Sequence, residues 1–223
     1  MIRRKLFEEI MFARHIYWDV IYEQHSGNPS GNPFTTFLNC LYNLVAFRYC
    51  FYKNKKFWYE RFYDHVSLYV LGDDNIWSIS PAIVDDFNQL TLSEDMNSLG
   101  LRYTTAQKDA AVAKTRPIKE LEFLKRSFRY SESRGLWLAP LRLDVALEIC
   151  QWSKKTMYIP IFKSNVSETL KELSLHGQEV FETYRKRIRD FFIDGGRSFD
   201  DIPELTDSYR FVRDRVLNSH FIL

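Results

Sequence analysis

Asp73 and Asp74 sit side by side between two apolar runs, and no other feature restricts this chain's fold as tightly. Ser67-Leu68-Tyr69-Val70-Leu71 and Ile76-Trp77-Ser78-Ile79 are rich in β-branched and aromatic residues, and Gly72-Asp73-Asp74-Asn75 separates them. That pattern predicts an antiparallel hairpin with a tight turn. Adjacent carboxylates repel, so a fold that holds them together at a hairpin tip usually supplies a cation. Magnesium takes oxygen ligands in near-octahedral geometry and keeps waters and substrate phosphates as partners. Two such ions stabilise the attacking and leaving oxygens of an in-line phosphoryl transfer. Glycine and aspartate are also ordinary turn residues, so the neighbouring sequence has to decide between a metal site and a solvated loop.

The upstream sequence favours chemistry. Ser26-Gly27-Asn28-Pro29-Ser30-Gly31-Asn32-Pro33 is a turn-rich loop, and Pro33 suits the first turn of a helix, where its missing N–H costs nothing. Phe34, Phe37, Leu38, Leu41, Leu44 and Val45 then recur at helical spacing, which predicts a helix to about Tyr52. Gly31 permits a flexible loop and close backbone approach to a nucleotide. Thr35 and Asn39 share one face of that helix. Together they are able to present hydrogen bonds to a ribose 2′-hydroxyl, the group that separates RNA from DNA. Thr and Asn are also common near helix starts, so this pair gains its meaning from the company it keeps.

The rest of the chain reads as mixed α/β, then mainly helical. Residues 6–13 have helical spacing, 19–24 are extended, 82–98 look helical, 101–104 read as a short strand and 122–130 as part of a second hairpin. From 141 onward the pattern is helical over 143–152, 167–192 and 207–217. A hydrophobic share of 45% supports a buried core and argues against disorder. A net charge of +2 gives no global field, so a nucleic-acid partner would need a local basic stripe. Cys40, Cys50 and Cys150 show neither zinc spacing nor a disulfide framework, which fits a reducing, cytosolic setting. No apolar run approaches the roughly 20 residues of a membrane span. The basic start is followed by Glu8 and Glu9, unlike a signal peptide, and the expected chain is soluble.

Four segments in order resemble motifs B to E of viral RNA-dependent RNA polymerases of the picornavirus-like supergroup. Ser30-Gly31-Asn32-Pro33-Phe34-Thr35-Thr36-Phe37-Leu38-Asn39 resembles motif B, and Tyr69-Val70-Leu71-Gly72-Asp73-Asp74 resembles motif C. Leu99 to Lys108 resembles motif D, and Phe123-Leu124-Lys125-Arg126 resembles motif E. Ala139-Pro140-Leu141, Trp152, His176-Gly177 and Tyr184 are similar to the thumb of such enzymes, and the motif B wording is closest to dicistroviruses and iflaviruses. The resemblance implies that Asp73 and Asp74 hold magnesium, or manganese in its place. It implies that Ser30, Gly31, Thr35 and Asn39 bind the incoming NTP, and that Lys108 protonates the pyrophosphate leaving group. Lys125 and Arg126 would contact RNA near the 3′ end, since Lys and Arg suit phosphate. His176 reads as structural, and Arg185 to Arg189 as a solvated helix face.

The implied fold is α/β: a partial polymerase palm over residues 1–130, an antiparallel hairpin with flanking helices, and a mainly α-helical thumb over 131–223. Motif A is not recognised. Asp19 is the nearby aspartate, and Gln24 stands where the second acid of that motif is expected. The expected function is template-directed nucleotidyl transfer to an RNA 3′-OH during viral genome replication, carried out by a longer protein of which this chain is a fragment. Template RNA, nascent RNA, NTPs and other viral replication proteins are the expected partners. Membrane-associated replication complexes in the host cytoplasm are the expected place. A catalytically inactive RNA-binding remnant is the alternative. A reverse transcriptase fits less well, because the Ser-Gly-Thr-Asn pattern and Gly-Asp-Asp depart from its usual residues.

Overall fold

The computed structural model describes residues 2–25, 27, 31–106, 113–132, 134–152 and 159–219. The backbone divides into two compact units, residues 1–116 and 117–223. Both mix helices with small two-stranded antiparallel sheets.

The first unit opens with helix α1 (Ile2–Met11) and a hairpin of β1 (Arg14–Tyr17) and β2 (Val20–Glu23). Helix α2 (Thr35–Lys53) follows. It begins two residues beyond Pro33, because Asn32 organises the entry: its side-chain oxygen accepts the Phe34 N–H at 2.8 Å. A single turn, α3 (Phe62–His65), leads into β3 (Val66–Leu71), which pairs with β4 (Asp74–Ile79). Leu71 stands opposite Asp74, so the connection is the two-residue loop Gly72-Asp73. Gly72 has φ +66°, the conformation that a glycine-first hairpin loop demands.

Helix α4 (Gln89–Ser98) is shorter than the helix expected over 82–98. Asn88 sets its start through a capping box: its side chain accepts the Leu90 and Thr91 N–H groups, and Thr91 Oγ1 accepts the Asn88 N–H. The preceding residues 81–88 form turns. Residues 101–104, expected as a strand, have no regular structure and are held by side chains instead.

One face of α2 builds the core. Ala46, Phe47, Cys50 and Phe51 are buried there with Phe57, Phe62, Val66, Phe87, Leu92 and Met96. Phe51 stacks on Phe57 at 4.7 Å and meets Phe62 and Phe87 edge-on at 5.3 and 5.4 Å. Alternation along the strands gives the hairpin two faces. Val66, Leu68, Trp77 and Ile79 pack on this core, while Tyr69, Leu71 and Asp74 lie on the outer, exposed face. Burying a phenylalanine stabilises by about 1.5–3 kcal/mol, so this aromatic cluster holds the hairpin firmly against α2.

The second unit carries the hairpins β5 (Glu122–Phe123) with β6 (Arg126–Ser127) and β7 (Arg129–Ser131) with β8 (Leu136–Leu138). Five helices follow: α5 (Leu143–Glu148), α6 (Ile159–Ser174), α7 (Gln178–Asp194), α8 (Pro203–Thr206) and α9 (Tyr209–Ser219). The run expected to be helical over 167–192 is two helices, α6 and α7, separated at Leu175-His176-Gly177, where Gly177 has φ +110°. Their core is Val166, Leu170, Leu173, Phe181, Phe192, Ile202, Leu205 and Val212.

The compact units divide between residues 116 and 117, and side-chain bonds join the short hairpins to the helices. Arg126 pairs with Glu172, and Arg129 donates to the Leu175 carbonyl at 2.5 Å. Both short hairpins thereby belong to the helical unit.

Candidate active site

The hairpin turn lies against helix α2. Gly72 N–H donates to Cys40 Sγ at 3.0 Å, and Cys40 Sγ approaches the Val70 carbonyl at 3.9 Å. One helical turn on, Asn43 Nδ2 donates to the Asp73 carbonyl at 3.1 Å. The turn's backbone is therefore bonded to the helix on both sides of its central peptide. The side chains of Asp73 and Asp74 remain exposed.

Thr35 and Asn39 precede Asn43 at helical i, i+4, i+8 spacing, so the three form one row along α2. Both Thr35 and Asn39 are half-buried and engaged in interactions. Gly31 has φ +88° and open space where a Cβ would stand, which fits close approach of another molecule to its backbone. Ser30 lies outside the described residues.

A second set of bonds reaches the hairpin from residues 101–105. Tyr103 hydroxyl donates to Asn75 Oδ1 at 2.9 Å and accepts from Trp77 Nε1 at 3.1 Å. Burial pushes the Tyr103 hydroxyl above its usual range, and the Trp77 donor opposes that shift. Farther along, Lys114 pairs with Asp85 at 2.8 Å, and its carbonyl accepts the Gln89 N–H. The lysine holds the Asp85 carboxyl below its ordinary range. Lys108 belongs to the stretch between these two anchors and lies outside the described residues.

Lys125 and Arg126 differ in what they have left to offer. Leu124 and Lys125 form a two-residue loop with φ +53° and +62°, and Lys125 is exposed at its tip. The Lys125 carbonyl accepts the Arg142 N–H at 2.8 Å, which fixes the loop from behind. Arg126 donates to both carboxylate oxygens of Glu172, at 2.8 and 3.2 Å, and to the Ala139 carbonyl at 2.7 Å. Its guanidinium is thus committed to holding β6 on α6. His176 serves the same region, with Nε2 2.7 Å from the Leu141 carbonyl.

Two adjacent carboxylates suit magnesium, which is often held by one or two protein carboxylates together with substrate phosphates. Among the described residues no group of three or more His, Cys, Asp or Glu side chains is placed to hold a metal ion. The pair at the turn offers a divalent ion two exposed carboxylates. Burial and Asp95 push the Cys50 thiol up to about 11, so Cys50 is a core side chain and not a nucleophile.

Sequence reasoning missed Cys40, Asn43, Asn75 and Tyr103. The available signal was polarity. Asn43 continues the Thr35–Asn39 row along a helix that is otherwise largely apolar.

Comparison with known proteins supports the same family. The sequence profile of a family described as viral RNA-dependent RNA polymerase matches residues 3–193. The replicase polyprotein of Drosophila C virus is 33% identical over 190 residues, covering 82% of this chain and 11% of that polyprotein. The replicase polyprotein of acute bee paralysis virus is 32% identical over 231 residues, covering 98% of this chain and 12% of that polyprotein. The RNA1 polyprotein of Arabis mosaic virus is 33% identical over 178 residues, or 78% of this chain. The chain spans about a tenth of the length of these relatives.

Proposed function

This chain belongs to the viral RNA-dependent RNA polymerase family, and from that premise we propose that it forms the part of a replicase that adds NTPs to an RNA 3′-OH under template direction. Residues 1–130 act as part of the palm and 131–223 as the thumb, a division by motif that keeps the β5–β6 hairpin with the palm although it packs with the helical unit. The observation that carries this reading is the joining of the exposed Asp73-Asp74 turn to the helix bearing Thr35 and Asn39.

Asp73 and Asp74 would hold magnesium or manganese, and the bound ion would stabilise the attacking and leaving oxygens of an in-line transfer. Thr35 and Asn39, with Ser30 and Gly31, read the ribose of the incoming nucleotide. Lys108 gives a proton to the departing pyrophosphate. Lys125 contacts RNA phosphate, and Arg126 supports the loop that presents it. Other viral replication proteins are its partners, at membrane-associated complexes in the host cytoplasm. Among the described residues no helix is long and apolar enough to cross a membrane.

The test is primer extension by the full-length polymerase containing this segment, with and without Asp73→Asn. The variant should keep its fold and lose magnesium-supported addition by at least 10²-fold, the scale on which electrostatic groups at a reacting centre act. Near-parental extension by a folded Asp73→Asn enzyme would remove Asp73 from the site. The alternative, an RNA-binding remnant without catalysis, draws on the two-carboxylate content of the described site. It predicts RNA binding with no extension by the full-length protein under any divalent metal.

A further inference from the structure

The turn that carries Asp73 and Asp74 has backbone groups that its own ladder does not satisfy, the Gly72 N–H and the Asp73 C=O among them. In a two-residue hairpin loop the Gly72 N–H and the Asp73 C=O point away from the strand pairing. Both are taken up by side chains of α2, one helical turn apart: Cys40 Sγ accepts the Gly72 N–H at 3.0 Å, and Asn43 Nδ2 donates to the Asp73 carbonyl at 3.1 Å. Cys40 and Asn43 stand on the side of α2 that faces the core, with Phe47 and Phe51 buried on the same side farther along. A helix fixed by that core is a rigid reference, and these two bonds pass its position to the turn.

We propose that Cys40 and Asn43 are positioning residues, which fix the two peptides that flank the Gly72-Asp73 bond and thereby the direction in which the Asp73 and Asp74 carboxylates project. The proposal rests on the polymerase reading for its catalytic consequence. The geometry itself does not depend on it. Hairpin loops of two residues rock about their closing pair, and a carboxylate beyond the loop moves through a wide arc for a small peptide rotation. A metal ion shared between two carboxylates and a substrate tolerates little such motion, since productive sites are held to within about 0.5 Å. Anchoring the turn at the Gly72 N–H on one side of its central peptide and at the Asp73 C=O on the other removes that freedom without using either carboxylate. A thiol is a weak acceptor, so Cys40 holds the amide lightly, and a hydroxyl at this position keeps an acceptor.

Three variants of the full-length polymerase test this: Cys40→Ala, which loses the acceptor; Asn43→Leu, which loses the donor at nearly constant volume; and Cys40→Ser, which keeps an acceptor. Hydrogen exchange of the Gly72 amide reads the contact directly, and should quicken in Cys40→Ala and return toward the parental rate in Cys40→Ser. Mn2+ titration without nucleotide reads the carboxylate geometry, and Asn43→Leu should weaken affinity roughly five-fold, the worth of one ordinary hydrogen bond. The Mg2+ concentration for half-maximal extension should rise by a similar factor, with primer-template affinity unchanged. A parental Gly72 exchange rate in Cys40→Ala, or unaltered metal affinity in Asn43→Leu, would overturn the proposal. An inactive parent enzyme would instead sink the polymerase reading, and the exchange and Mn2+ measurements would still decide the role of Cys40 and Asn43.

Discussion

Asn39 and Tyr103 represent two ways in which a single side chain bears on this site. Asn39 lies on the α2 row that ends at the Asp73 peptide, one turn before Asn43. If the row reads the ribose, Asn39→Ala in the full-length enzyme lowers the ratio of NTP to dNTP efficiency, because the site then leaves fewer polar groups unpaired against the wrong sugar. Single-nucleotide incorporation with matched NTP and dNTP measures it, and an unchanged ratio would assign Asn39 to packing. Tyr103 acts through structure. Tyr103→Phe strips Asn75 Oδ1 and Trp77 Nε1 of a shared partner and should cost about 1–3 kcal/mol, the penalty for stranding buried polar groups. Urea unfolding of the parent and variant chains measures that loss, and equal midpoints would show that water replaces the hydroxyl.

The carboxylate pair is plain in the sequence because both residues and the strand that carries them fall within one short run, Tyr69 to Asp74. The sequence hid Cys40, Asn43 and Tyr103 because their partners lie about thirty residues away, and no local pattern records a contact at that distance.

At the level of elements, the β5–β6 loop is the clearest case of local strain. Its two residues both have positive φ, as a type I′ loop requires, yet neither is glycine or asparagine. Lys125→Gly should therefore stabilise the second unit by up to about 1 kcal/mol, while weakening RNA binding if the lysine meets phosphate. Arg126→Ala should do the reverse to stability. It leaves Glu172 without its bidentate partner, at a cost of about 1–2 kcal/mol once partial exposure is discounted. Thermal melting and filter binding to a primer-template, run on both variants, separate the two effects. A Lys125→Gly chain that binds RNA as well as the parent would leave that loop with no phosphate role.

At the junction of α6 and α7 the resemblance to polymerase thumbs, which has His176-Gly177 opening the helix of Tyr184, places the break, and periodicity alone does not. The apolar pattern runs on through Leu175, and Gly177 alone marks the break. His176 at that junction is held below its ordinary pKa by burial, against the opposing pull of the Leu141 carbonyl. A histidine whose folded pKa is depressed binds its proton more readily when unfolded. Its contribution is full above the ordinary value of 6.5 and is lost as pH falls from there through the folded pKa. The second unit should thus melt at lower temperature at pH 5 than at pH 8, and His176→Gln, which keeps an N–H donor, should narrow that difference. An equal pH response in the variant would place the sensitivity elsewhere.

For the whole molecule, the distribution of apolar surface matters more than any single bond. The first unit buries one side of α2 and leaves Phe37, Leu41, Val45 and Tyr49 between 49% and 62% exposed on the other. Tyr69 is 68% exposed on the outer face of the hairpin, and the β1–β2 hairpin presents Ile16, Trp18 and Ile21 at 77%, 87% and 68%. Exposed apolar side chains in this number fit faces that another surface covers, or that associate. The chain spans about a tenth of the length of its relatives' polyproteins. The 223-residue chain on its own should therefore self-associate, bind a hydrophobic dye and fail to extend a primer. Among the described residues no third histidine, cysteine or acid joins the two carboxylates to hold a metal ion, and in-line transfer also needs the NTP held in orientation. A version lengthened upstream should be monomeric and dye-silent, and should extend with magnesium. Sedimentation and dye fluorescence on the two chains check the first part, and primer extension checks the second. A short chain that stays monomeric, ignores the dye and extends RNA would mean that its exposed α2 face is a finished surface and that the site needs no more than these residues.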